Sequence, residues 1–277
     1  MPREISNEKL RMLYNPEGSE LRIQQLRMLD LLQEFDKFCT ENGLRYWLSS
    51  GTCLGAVRHN GFIPWDDDVD VEMPINDFRK LLRLYKENDN YVIQTWKNDK
   101  YFTSPFAKFR DKHTLIYDSL YKYRGVFIDI FPMEYTNKIL SMSCSIIRNL
   151  TLNRIYEYLK RVKYRKGKFS FIQFHIVSTV FLATKYLYFS FLPVIRIFGK
   201  TTFHKKLRHT YGVGWCDNVR FEKDIYPLKK LPFENLELNV PGDYKSYLKN
   251  IFGSDYMNIP DEKDIPKPHA QYIVFLD

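Results

Sequence analysis

The sequence predicts an α+β chain, in which short strands are interspersed with amphipathic helices and one long helical segment is set among them. Three observations carry this reading. From Glu20 to Glu41, apolar residues recur at Leu21, Leu26, Leu29, Leu32, Phe35 and Phe38, close to helical spacing. Asp68-Val69-Asp70-Val71 alternates as a strand does, and Gly125 to Pro132 is a core-like apolar strand broken by Asp129 alone. From about residue 137 to 210 the pattern is helical.

The first long helix stops at Gly43, and Leu44 to Leu48 reads as a strand delivering the chain to the turn Ser49-Ser50-Gly51-Thr52. Thr52 to His59 suits a short helix, and Asn60-Gly61 a turn before Phe62-Ile63-Pro64-Trp65 and the acidic strand. Asn76 to Glu87 is another helix, with Phe78, Leu81, Leu82 and Tyr85 on its apolar side. Strands follow at 91–96 and 106–110; in the latter Lys108 and Arg110 share a face opposite Phe109, and 115–117 continues the sheet. Beyond the helical segment, 201–211 reads as a polar helix, 233–240 as a strand or hairpin and 243–252 as a short helix. The expected organisation is a single domain, 1–277, with a core at about 20–136 and 211–277 and an insertion at about 137–210.

Composition narrows the class. With 44% hydrophobic and 27% charged residues the chain is globular, and its net charge of +9 favours an anionic partner. Cys39, Cys53, Cys144 and Cys216 form no C-x-x-C pair and read as buried small hydrophobes. The opening MPREISNEKLR lacks the apolar run of a secretory signal. Within the insertion, seven of the fifteen residues from Arg154 to Lys168 are Lys or Arg, opposed only by Glu157. Sixteen uncharged residues follow, Phe169 to Thr184, which is short for a membrane span. A basic helix before an aromatic one suits an anionic membrane surface, with a buried helix hairpin carrying a solvated basic face as the alternative; the aromatic helices at 169–198 suit a homodimer as well as a bilayer.

The chemistry concentrates between Trp47 and Met73. Asp66, Asp67, Asp68 and Asp70 crowd into five positions, where they repel one another. Mg²⁺ held by two or three carboxylates together with substrate phosphates accounts for such crowding. Alternation sends Asp68 and Asp70 to one face and Val69 and Val71 to the other. The Ser-Gly-Thr turn ahead of a helix offers backbone N–H groups to phosphate. Asp129 is costly in an apolar strand unless paired or metal-bound, and stands as a third carboxylate beside the pair.

The segments SSGTCLGAVRHNGFIPWDDDVDVEMP, FIDIFPMEY and LPFENLELNVPGDYKSYLKNIFGSDYMNIP resemble, in order, the LicD family of nucleotidyltransferase-fold phosphotransferases, which includes fukutin-related proteins. The resemblance covers about residues 24–270 and thins between about 140 and 210. It implies a nucleotidyltransferase-like mixed β-sheet flanked by helices, in a catalytic domain using Mg²⁺, with Mn²⁺ as the alternative. It assigns Ser50, Gly51 and Thr52 to the phosphate-binding turn, Asp68 and Asp70 to the paired metal ligands, and Asp129 to a third ligand or the general base. Arg58, Lys108 and Arg110 match basic positions suited to clamping phosphate, and His269 matches a histidine near the end of many members.

The activity so implied is transfer of phosphocholine from CDP-choline, or of a related group from another CDP-alcohol, to a sugar hydroxyl. The acceptor would be a teichoic acid or another lipid-linked glycan precursor. The enzyme is then expected in the cytoplasm, peripheral at the inner face of a bacterial cell membrane. Trp47, Trp65 and Trp215 are candidate walls of a choline cage, with core burial as the competing reading. The alternatives are transfer of ribitol phosphate or a sugar phosphate, a nucleic-acid nucleotidyltransferase, and a non-catalytic subunit. No RNA-binding module supports a nucleic-acid partner.

Overall fold

The computed structural model describes residues 6–116, 119–165, 167–201, 206–214, 219–265 and 273–276. Helices α1 (Asn7–Tyr14) and α2 (Glu20–Glu41) open the chain, each capped by a serine hydroxyl that accepts an N–H of the first turn, Ser6 from Lys9 and Ser19 from Arg22. The short strand β1 (Trp47–Leu48) leads directly into α3 (Ser50–His59). This helix begins two residues earlier than the sequence predicts, so the Ser-Gly-Thr turn is its first turn. Next come β2 (Asp70–Pro74), α4 (Ile75–Leu84), β3 (Tyr91–Gln94), β4 (Ala107–Asp111), β5 (Thr114–Leu115) and the ten-residue β6 (Phe127–Thr136).

The insertion follows as α5 (Lys138–Arg148), a π-helical turn at Asn149–Asn153, α6 (Arg154–Lys163) and the 34-residue α7 (Lys168–Thr201). The chain closes with β7 (Lys206–His209), α8 (Glu222–Ile225), the hairpin β8 (Lys229–Phe233) and β9 (Leu236–Val240), α9 (Tyr244–Phe252) and β10 (Val274–Phe275).

The expected α+β fold is what forms. Six strands make a mixed sheet in the order β1-β2-β6-β4-β3, with β7 added to β6. The β2–β6 pair is parallel and the others are antiparallel. Strand β6 is long enough to take β4 along Phe127–Ile130 and β7 along Met133–Thr136. Val69, Val71 and Met73 bury fully on one face against Met28, Leu32 and Phe35 of α2, as alternation requires.

Three local expectations fail. Leu115 does not extend the main sheet: β5 pairs with β10 in a separate two-stranded sheet. The stretch read as a polar helix at 201–211 holds β7, because Leu207, Arg208 and His209 are buried by pairing with β6, a gain invisible to local periodicity. The apolar helix does not stop with the sixteen uncharged residues ending at Thr184, since the next side chain, Lys185, is buried and its ammonium donates to the carbonyls of Asp99 (2.7 Å) and Lys100 (2.9 Å). One helix therefore continues through it, and from Phe169 to Gly199 it is long and apolar enough to cross a membrane by length and composition. Cys39, Cys53 and Cys144 are buried free thiols, as expected of small hydrophobes; Cys216 lies outside the described residues.

The opposite face of β2 carries a buried carboxylate. Glu72 is fully enclosed and accepts from Trp47 Nε1 (2.9 Å), Tyr247 Oη (3.0 Å) and Arg220 Nε (3.1 Å), and its Oε1 meets His209 Nε2 at 2.9 Å. Burial pushes this carboxyl up, but Arg220 and His209 outweigh it and hold it below the usual carboxylate range. Removing its charge takes from the buried Arg220 the carboxylate it meets at 3.0 Å. Glu72→Gln is therefore expected to lose about 3–5 kcal/mol in urea unfolding, with most of it recovered when Glu72 and Arg220 are both replaced by Met. An unchanged midpoint for Glu72→Gln would contradict this role.

Candidate active site

The edge-to-edge neighbours β2 and β6 set the acidic residues together: Asp70 and Asp129 are direct Cα partners in the parallel register. Extended pairing runs back past the start of β2, because Asp129 N–H donates to the Val69 carbonyl at 2.8 Å. The preceding loop is held from α2, where Gln24 donates to the Asp67 carbonyl (2.7 Å) and Gln25 to the Asp66 carbonyl (2.9 Å). The start of α3 is stapled to the same strand. Ser49 N–H donates to the Asp70 carbonyl, and Asp70 N–H donates to Thr52 Oγ1, both at 2.9 Å.

The first turn of α3 faces this acidic loop closely. A Cβ on Gly51 would lie 3.1 Å from Asp66 Oδ2, a tight approach that would press the carboxylate aside. Ser50 has a φ of 44°, a left-handed backbone that a serine adopts at some cost. Ser49, the N-cap, gives no side-chain bond to the helix; its hydroxyl lies 3.2 Å from both Ser50 Oγ and Tyr247 Oη. The leading N–H groups of α3 thus lack the usual serine cap, which suits an anion.

The carboxylates repel one another strongly. Asp66 shares a hydrogen bond with Asp68 and is pushed well above the usual range, first by burial and then by Asp68 and Asp67. Asp70 is likewise raised by burial, then by Asp68, Asp129 and Asp66. Asp129 receives both its hydrogen bonds from Lys108, at 2.6 and 2.9 Å. Burial pushes this carboxyl up and the Lys108 ammonium down, against their mutual attraction. Lys108 also stands 3.3 Å from the centre of the Phe127 ring.

Of the positions singled out in the sequence, Ser50, Gly51, Thr52, Asp68, Asp70, Asp129 and Lys108 come together. Two do not. Arg110 is buried, donating to Gln94 Oε1 and the Gly125 carbonyl at 2.5 Å each. Arg58 bonds the carbonyls of Tyr256 (3.0 Å) and Asn258 (2.9 Å), tying α3 to the C-terminal segment. Trp47 serves Glu72, and Trp65 packs against Tyr14 and His59 in the core. His269, Trp215 and Lys166 lie outside the described residues.

Among the described residues, no three His, Cys, Asp or Glu side chains converge closely enough to hold a metal ion. The donor chemistry nevertheless fits one. Asp66, Asp68 and Asp70 are hard oxygen donors whose mutual repulsion a Mg²⁺ or Mn²⁺ would relieve.

A cavity of about 400 Å³ opens at Ser50 and Asp70. Phe106, Tyr121, Phe131 and Tyr156 form aromatic walls, and His209, Arg148 and Asn153 supply polar ones. His209 stacks on Phe131 with ring centres 4.9 Å apart, and its Nδ1 is buried without a partner. The core and the insertion both line this space, joined where Thr103 donates to Asn153 Oδ1 at 3.1 Å. Glu72 was legible as the next step of the Asp68–Asp70 alternation; His209 and Arg148 carry no local signal.

A mixed sheet that sets paired aspartates beside an uncapped glycine-containing turn defines a nucleotidyltransferase-type site. Residues 43–166, just under half of the chain, match the model of the family described as LicD/FKTN/FKRP, nucleotidyltransferase domain. The chain is 25% identical to the lipopolysaccharide cholinephosphotransferase LicD of Haemophilus influenzae over 260 residues, 90% of this chain and 95% of that one. Similarity to human ribitol 5-phosphate transferase FKRP reaches 54% over 35 residues, covering 13% of this chain and 7% of that protein. The yeast mannosyltransferase regulator 4 of Saccharomyces cerevisiae is 32% identical over 80 residues, 28% of this chain and 7% of its own length. The match to that domain supports catalysis and the divalent-metal requirement general to such domains.

The helix carrying the glycine turn ends in a buried titratable group. Arg58 Nε donates to His59 Nε2 at 2.9 Å, so Nδ1 carries the proton and gives it to Asn7 Oδ1 at 2.6 Å. Burial, then Arg58 and Arg11, lower this imidazole from 6.5 to about 4. Between those values the unfolded chain binds a proton that the folded chain refuses, so stability falls as pH falls. The loss from this group reaches about 3 kcal/mol from neutral pH to about pH 4. His59→Gln should show a correspondingly flatter acid limb in urea unfolding; parallel limbs would contradict the assignment.

Proposed function

We propose that this protein transfers phosphocholine from CDP-choline to a sugar hydroxyl of a lipid-linked surface glycan precursor of the teichoic acid kind. The observation that carries the choline reading is the cavity at Asp70, walled by Phe106, Tyr121, Phe131 and Tyr156. Electron-rich ring faces attract a quaternary ammonium that cannot hydrogen-bond. The similarity to the Haemophilus cholinephosphotransferase over nine-tenths of the chain supports the same class. Ribitol phosphate is the second reading, favoured by the short but stronger identity with FKRP.

In this reading the leading N–H groups of α3, at Ser50, Gly51 and Thr52, bind the donor diphosphate, with Thr52 holding the turn against Asp70. Asp68 and Asp70 would hold Mg²⁺, which when bound neutralises diphosphate charge. Asp129 takes the proton of the acceptor hydroxyl as oxygen attacks phosphorus and cytidine monophosphate leaves. It is raised by burial toward a useful range, but Lys108 occupies both of its oxygens. Lys108 must therefore swing away, and the departing phosphate offers it a new counter-charge.

Mass spectrometry of the product from CDP-choline and lipid-linked glycan acceptors tests this reading, with CDP-ribitol as the competing donor. A phosphocholine-bearing product is expected; exclusive use of CDP-ribitol would replace it. Asp70→Asn is expected to abolish turnover while raising the melting temperature by a few degrees, because it relieves a buried repulsion. Undiminished turnover would sink the role given to Asp70.

We also propose that the insertion rests on the inner membrane face as part of a single catalytic domain. In α5, Ile139, Met142 and Ile146 are exposed, and in α7 so are Phe171, Ile176 and Phe191. Exposed Arg161, Lys163 and Arg165 lie at the end of α6, placing cations beside this apolar surface. Replacing Lys160, Arg161, Lys163 and Arg165 by Gln should weaken binding to anionic liposomes at least tenfold in co-sedimentation. Equal binding by the two proteins would remove the electrostatic part of the proposal.

A further inference from the structure

Arginines inside a protein are ordinarily paired, because an isolated buried charge is costly. Here Arg220 is paired with Glu72, Arg110 with Gln94 and the Gly125 carbonyl, and Arg196 with Glu134. Arg148 differs. It is 4% exposed, its Nε is buried without a hydrogen-bond partner, and its guanidinium makes no hydrogen bond or ion pair with any described residue. Burial lowers its pKa, and the groups partly offsetting this are the phenols of Tyr188 and Tyr121, not carboxylates.

Its position gives that cost a use. Arg148 is the last residue of α5 and lines the same cavity as Ser50 and Asp70. The helix does not simply continue beyond it: a π-helical turn, Asn149–Asn153, shifts the phase so that Asn153 and Tyr156 also line the cavity. The wall is tied down within this turn and just after it. Asn153 Nδ2 donates to Asn149 Oδ1 at 2.7 Å, and Tyr156 Oη accepts Leu120 N–H at 3.2 Å. A fork of donors, desolvated and unsatisfied, thus faces a space already bounded by an uncapped helix start.

We propose that Arg148 is the phosphate-binding residue contributed by the helical insertion, gripping phosphate oxygens of the nucleotide-linked donor. This rests on the reading of the cavity as the transfer site. A guanidinium presents parallel N–H groups that match two phosphate oxygens, and burial strengthens such charge-assisted bonds. The arrangement also suits a zwitterion: Arg148 takes the phosphate while the rings of Tyr121, Tyr156, Phe106 and Phe131 take a quaternary ammonium. The insertion is then part of the substrate site, and not only a surface attachment.

The test is calorimetric titration of the full chain at one fixed Mg²⁺ concentration with pyrophosphate, CDP-choline and cytidine, comparing wild type, Arg148→Gln and Arg148→Lys. Arg148→Gln is expected to weaken pyrophosphate and CDP-choline about 10- to 100-fold and leave cytidine unchanged. Arg148→Lys should recover part of the loss. The melting temperature of Arg148→Gln should equal or exceed that of wild type, because an unpaired buried charge has been removed. Unchanged pyrophosphate affinity overturns the proposal, as does a large fall in melting temperature accompanying the loss. If wild type binds pyrophosphate through Arg148 but does not bind CDP-choline, the choline reading fails and Arg148 stands. A rise in acceptor KM with donor affinity unchanged assigns the oxyanion to the acceptor and overturns the donor assignment.

Discussion

The structure depends on a fully buried carboxylate that is completely satisfied. Glu72 collects donors from β1, the segment at Arg220 and α9, together with its close contact to His209 on β7, so four separated parts of the chain converge on one side chain. An unpaired charge at that depth would cost several kcal/mol, so the partners must arrive together or the arrangement does not form. Their arrival fixes β2, and β2 fixes Asp70. The Asp70 end of the strand is held still by the saturated end, two residues away.

Along that strand the same residue class serves opposite purposes. Glu72 is surrounded by donors and held in its charged form. Asp66 and Asp70 face other carboxylates and are pushed toward their protonated forms. The difference lies in what neighbouring segments supply: cations and hydroxyls at one end, more carboxylates at the other. The acidic loop sets carboxylates against one another, and Arg148, whose Nε is buried without a hydrogen-bond partner among the described residues, repeats that pattern with the opposite sign. Unmet electrostatic demand on both sides of one cavity accords with a ligand carrying both charges.

Gln24 and Gln25 show how the fold and the site are joined. On a helix otherwise packed by Met28, Leu32 and Phe35, these amides reach the backbone of the acidic loop. They fix a loop whose side chains repel one another and which would otherwise spread. Arg58 performs a related task at the other end of α3, where it binds carbonyls of the C-terminal segment. The basic residue expected at phosphate is thus engaged in closing the fold.

Alternation and turn chemistry were enough to place Asp68 and Asp70 on one face, to mark the glycine turn and to identify the core strand bearing Asp129. These are local properties, set by the two-residue period of a strand and the steric freedom of glycine, and they survive without knowledge of partners. The α+β class was legible for the same reason, as were α2, β9 and α9. Tertiary structure alone decided that 206–209 is a strand, that Lys185 lies inside a continuous helix, and that Arg110 is an anchor. It alone brought Arg148 from the insertion to the mouth of the acidic strand. Each of those outcomes depends on groups supplied from distant sequence: a free edge on β6, two carbonyls near Asp99, the amide of Gln94, the cavity at Asp70. Such partners are absent from any local window, because burial and pairing are properties of the packed chain.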